Sequence, residues 1–352
     1  MKRLFLLLAI CSLMTAGCCN NRNDGSTHIR YRYATAEEGR QLRLANTAYI
    51  DGTNQNNIDW KLRCSGKTLD DYKTIAAAQI VDFTDEEKQA VDATMAYIEA
   101  RFDELGINLR YDDEIVFIKT NMKDEGEAAG GYTLQNQIYL HQNTIEGIVD
   151  AWKGNPALAP GYLEYCTYYS HAIVAHELFH CLTRNDAAFR EQMYRLIGFT
   201  VMDHEIEFGP TVRNLLLQNP DVERFDNWAE FTINGQKRRC ILIPVYACSF
   251  AEAAEMDPYA SFFSYLQCVL VPLDEPDTMI PIEQASDFYS VVGHNTDYVI
   301  AAEECLADNF GNLVSFGFNG YFDYVNGILQ FIPYRTPQLV HNICETLRSY
   351  YN

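Results

Sequence analysis

Apolar positions recur at helical spacing most clearly in FTDEEKQAVDATMAYIEARFDELG (83–106), where Val91, Met95, Ile98, Phe102 and Leu105 fall on one stripe. Thr84 with Glu87 makes a capping box at its start and Gly106 supplies a stop, so a helix is predicted between them. EIVFIK (114–119) and NQIYLH (136–141) read as strands, separated by a glycine-containing stretch at 126–131. A long apolar run predicts a helix over 165–183, followed by a shorter one over 189–197 that ends near Gly198. After Pro210 the period changes to that of strands. NWAEFTI and QKRRCILIPVYA are joined by Asn234-Gly235, a strong hairpin signal, and SFFSYLQCVLVPL (261–273) reads as a third strand. The last helix is expected over 298–313. Helices and strands mix without βαβ alternation, which predicts an α+β fold.

Composition adds what the pattern leaves open. The 352 residues are 48% hydrophobic and 21% charged, enough to build a sizeable core, with a formal net charge of −21. Such a polyanion is repelled by nucleic acid and by anionic membrane surfaces. The first residues carry Lys2 and Arg3, then an apolar stretch too short to span a bilayer, then small residues before Cys18. This ending resembles the bacterial lipoprotein signal, with Thr15 where leucine is usual. The resemblance implies cleavage, lipidation of Cys18 (or Cys19), and anchoring of the chain at a membrane of the bacterial cell envelope. Residues 1–18 are then the signal and 19–70 a polar tether. The remainder divides into 71–200, a β-rich insertion at 201–292, and a C-terminal part at 293–352. The eight cysteines from Cys64 onward show no CxxC pair.

Candidate chemistry concentrates in IVAHELFHCL (173–182). His176 and His180 stand four apart, so on a helix both imidazoles can reach one ion, with Glu177 beside it but not ligating. This H-E-x-x-H spacing resembles the zincin metallopeptidases. That resemblance implies bound Zn2+ and a third ligand elsewhere. Asp186 stands where a metzincin needs histidine, but the glycine turn is replaced by Thr183. His204, Glu205 and Glu207 lie about as far downstream as the ligand of thermolysin-like enzymes. The best match is Glu304 with Asp308, which resembles the E-x-x-x-D of gluzincins. There the glutamate binds zinc and the aspartate holds a motif histidine as an outer carboxylate. Glu303 is the rival on the adjacent face.

The resemblance covers the two helices only. It implies a zincin-like core and an exported metallopeptidase in which Glu177 is the general base. A peptide or protein substrate would pair with an edge strand, at 137–141 or 131–134. Tyr298 and His294 precede the ligand helix as candidate donors to the transition state. The competing reading is a non-catalytic surface or scaffold lipoprotein with a structural zinc. Its closed site would need a fourth protein ligand such as Cys181 or Cys305, each turned about 100° from its neighbouring ligand.

Overall fold

A computed structural model describes residues 28–126 and 130–352. The chain is α+β and is built around two five-stranded sheets. The first contains β1 (His28–Tyr33), β2 (Ile80–Val81), β3 (Arg110–Thr120), β4 (Gly131–Leu134) and β5 (Gln137–His141), ordered β1-β3-β5-β4 with β2 also on β3. β1, β3 and β5 run parallel, whereas β4 is antiparallel to β5 and forms the outer edge. Of the two edge candidates, 137–141 is therefore corrected to an interior strand. Its Ile138 and Leu140 enter the main core and Tyr139 stacks on Tyr132 at 4.6 Å.

The second sheet is wholly antiparallel: β6 (Thr200–Val201), β7 (Asn227–Ile233), β8 (Gln236–Tyr246), β9 (Leu266–Pro272) and β10 (Ile280–Pro281). Asn234 and Gly235 join β7 to β8 with φ of 52° and 78°, the left-handed pair that a tight hairpin needs. A second Asn-Gly turn, Asn326-Gly327, joins β11 (Gly320–Val325) to β12 (Ile328–Pro333) in the same way. The strand expected over 261–273 starts only at Leu266, because Phe262–Tyr265 is a helical turn.

Helices Asp85–Glu104, Gln142–Lys153 and Pro160–Asn185 pack on strands of the first sheet. The first is capped by Thr84 and Glu87. The last, called here the motif helix, starts with Pro160, tolerated in a first turn because its missing N–H would be unpaired anyway. One core joins Phe117 of the first sheet, Leu178 of the motif helix, Phe231 and Leu242 of the second sheet, and Phe310. Residues 201–292 thus share the core with the rest.

The tether expected over 19–70 is corrected from residue 28 onward, where β1 and helices Ala36–Ala45, Gln55–Leu62 and most of Leu69–Ala78 stand. Its polar residues are there to be buried. Arg43 is fully enclosed and bonds Asp124 at 2.9 Å, Glu125 at 2.8 Å and Tyr72 at 3.1 Å, while Lys61 pairs with Glu125. Asn56 and Asn57 donate to the carbonyls of Asn214 and Leu216. Burying such groups is tolerable because each finds a partner.

Candidate metal centre

The motif helix is buried along one length, from Val174 to Thr183. Helix Ala302–Phe316 packs across it and begins with Glu303 and Glu304, where the helix dipole favours carboxylates. The approach is close because of Gly311. A Cβ at that position would lie 2.5 Å from the Ala172 carbonyl and 3.4 Å from the His176 Cβ.

Across this contact, Glu304 Oε2 sits 3.1 Å from His176 Nε2 and 3.6 Å from His180 Nε2. Two ligand atoms on one tetrahedral zinc, each about 2.0–2.1 Å from it, stand roughly 3.3 Å apart. The two distances bracket that separation. The other Glu304 oxygen is held by the Asn219 amide.

The nitrogen of His180 decides how the cluster can be completed. Its Nδ1 lies 3.0 Å from Glu303 Oε1, and Glu303 also accepts from Thr183 and, at 2.7 Å, from Tyr194. An ionised carboxylate only accepts, so the ring hydrogen belongs on Nδ1. In the neutral ring, Nε2 is then a buried lone pair with no hydrogen-bond partner, facing Glu304 and, at 3.9 Å, Asp221. A lone pair aimed at carboxylates needs a proton or a metal cation between them. The surrounding charges express the same demand. Burial opposes charge on both imidazoles, yet the Glu304 bond raises His176, and Asp221 with Glu303 and Glu304 raises His180 further. Burial likewise works against an ionised Glu304, but the two histidines hold its carboxyl well below the usual range.

Glu177 stands beside this group without joining it. Its Oε2 accepts from the Thr133 hydroxyl at 2.7 Å, and Gly131 leaves room for the carboxylate, since a Cβ there would come within 3.0 Å of Oε1. Burial, which disfavours the charged form, pushes Glu177 upward. Both contacts come from the edge strand β4. The outward-facing N–H of Thr133 is bonded to Asp221 at 2.6 Å. Segment 219–221 thus crosses the strand edge and reaches the site from both Asn219 and Asp221. Asp221 is also pushed well up, by burial and then by Glu177.

His176 and Glu177 line a cavity of about 330 Å³ together with Tyr298, Asp308 and β4. A second cavity of about 250 Å³ shares Tyr169, Ile173, His176 and Asp308 with it, so the two form one cleft past the histidines.

The structure brings together His176, Glu177, His180 and Glu304, and sorts the remaining candidates. Asp308 lies beside His176, but no hydrogen bond joins the two among the described residues, and its hydroxyl partner is Thr296. The carboxylate holding a motif imidazole is Glu303, on His180 rather than on His176. Asp186 caps helix Ala187–Arg195 and accepts from Tyr350. His204 pairs with Asp203 at the surface, Glu207 is exposed, and Glu205 lines a separate cavity. His294 stacks on Tyr289 beside Arg335, away from the cleft. Cys181 and Cys305 are buried thiols outside the ligand group. Thr133, Asn219 and Asp221 were missed, since single polar residues in a strand and a loop carry no spacing signal. No family model, curated protein or solved structure matches the chain.

Proposed function

We propose that this chain is a zinc-dependent peptidase of the gluzincin kind, in which His176, His180 and Glu304 hold the ion and Glu177 is the general base. The observation that carries the reading is the unpartnered His180 Nε2, with Glu304 Oε2 at zinc-like spacing from it and from His176 Nε2 and the Glu177 carboxylate, held by Thr133, alongside. Bound Zn2+ would supply Lewis acidity, enough to bring the pKa of water to about 7. Glu177 then accepts a proton from water in the cavity and returns it to the leaving amine. Thr133 fixes the direction in which its carboxylate points. Tyr298 lines the same cavity, its ring 6.4 Å from that of His176, and is placed to donate to a developing oxyanion. The substrate backbone would pair along the outer edge of β4, beside the Thr133 N–H that Asp221 occupies. An antiparallel edge strand over the motif helix, with a second ligand-bearing helix, supports a zincin-like core.

The same reading keeps the protein in the bacterial cell envelope, anchored through Cys18, which lies outside the described residues. Among the described residues no helix is long and apolar enough to cross a membrane.

A structural zinc in a non-catalytic scaffold lipoprotein remains the second reading, because Asp221 approaches His180. It groups, however, with Glu177 and His180 rather than with His176 and Glu304. One pair of variants separates the two. Glu177→Gln should keep about one zinc per chain and lose hydrolysis of a peptide library by roughly 10²–10⁴-fold. Glu304→Gln should lose the metal. A wild type that holds zinc and cleaves nothing would favour the scaffold.

A further inference from the structure

The second cavity has a chemistry of its own. The rings of Tyr165, Tyr169, Tyr321 and Phe322 form its walls, and Asp308 and Asp323 supply two carboxylates. No lysine or arginine lines it among the described residues. Tyr162, Tyr165 and Tyr169 follow one another along the motif helix with ring centroids 6.2 and 5.8 Å apart, so stacked tyrosine faces lead from the surface to the metal centre. Asp323 accepts the Tyr324 N–H with one oxygen, and its other oxygen has no partner among the described residues.

We propose that this cavity is a subsite for a basic side chain, so that the peptide cleaved carries arginine or lysine on the Tyr169 side of the metal. The proposal rests on the peptidase reading and names its substrate class. An apolar side chain could fill the same walls, but it would strip water from two carboxylates and give nothing back. A guanidinium or ammonium group satisfies both, because aromatic faces attract cations and carboxylates pair with them. The net charge of −21 draws such peptides toward the protein.

The test uses the full chain carrying Glu177→Gln, with zinc added, so that bound peptide stays intact. The probes are fluorescein-labelled eight-residue Ala/Gly peptides with one arginine, or its neutral isostere citrulline, moved through the central positions. Fluorescence anisotropy should show one position where arginine binds roughly tenfold tighter than citrulline. That advantage should shrink with salt and fall to about twofold or less in Asp323→Asn, which keeps the acceptor for Tyr324. Tyr165→Leu should reduce it as well. A melting curve for each variant checks that the fold is kept. Equal binding of arginine and citrulline at every position, no binding of either, or an undiminished advantage in Asp323→Asn would overturn the subsite. The peptidase reading fails by a different sign: wild-type protein that binds the arginine peptide and never hydrolyses it.

Discussion

Around Arg43 and Lys61, two cations meet two carboxylates, Asp124 and Glu125, all of them buried. Around His180, four buried carboxylates (Glu177, Asp221, Glu303 and Glu304) face only two imidazoles. The first cluster is balanced by its own side chains and holds the N-terminal helices against the first sheet. The second has two more carboxyl groups than imidazoles, and burial pushes two of them, Glu177 and Asp221, toward their neutral forms. Buried charge whose ion pairs close among the protein's own side chains is a structural device, although Arg43 Nη1 and Asp124 Oδ1 stay without a hydrogen-bond partner among the described residues. Buried carboxyl groups left open point to a partner from outside, and a divalent cation would use the lone pair that His180 Nε2 carries when its ring is neutral.

The sharpest way to break this contrast is His180→Ala. It removes the nitrogen that faces both Glu304 and Asp221, and zinc per chain, read by elemental analysis, should fall from about one to near zero. Unchanged zinc would erase the distinction between the clusters. Arg43→Met tests the other side. It leaves two buried carboxylates opposite one lysine and should destabilise the fold by about 3–5 kcal/mol in denaturant titration. Folded protein should still carry its metal. Glu303→Gln should be milder, weakening zinc affinity by roughly 10–100-fold in a competition assay through the loss of support to His180.

The smallest effect concerns a third histidine on the same helix. His171 stacks on Tyr97 at 3.6 Å, and burial alone pushes its pKa down to about 4. Its folded value lies below its unfolded one, so the unfolded chain binds the proton first. Stability is therefore full above pH 6.5 and is lost as pH falls toward 4. His171→Phe should remove about 1–3 kcal/mol of that acid sensitivity, seen as a flatter dependence of melting on pH. Equal slopes in both proteins would show that His171 plays no part.

Much of this was legible in local patterns. The capped helix ending at Gly106, the Asn234-Gly235 hairpin and the H-E-x-x-H helix each depend on residues close in sequence, whose spacing encodes their geometry. Glu304 was legible because its helix repeats a spacing with chemical meaning. The polar stretch from residue 28 was not. Arg43 and Asn57 look like solvated residues until their partners arrive from Asp124 and Leu216, far along the chain. The roles of Glu303 and Glu304 could be told apart only in three dimensions. Neighbouring residues on a helix point about 100° apart, and here one meets the outer nitrogen of His180 while the other meets the inner one.

Gly311 has no side-chain donor, acceptor or charge, yet the gap between the helix of His176 and His180 and that of Glu304 depends on it. A mutational survey limited to side chains with functional groups would pass it by. In a complete substitution map, position 311 should be as intolerant as the histidines, and alanine should already be too large. Replacing His176 removes an atom that binds, whereas replacing Gly311 adds one that separates the atoms that remain. On the zinc reading proposed above, redesign for a larger or smaller ion would therefore begin at this glycine and at Ala172 opposite it, with His176, His180 and Glu304 left in place.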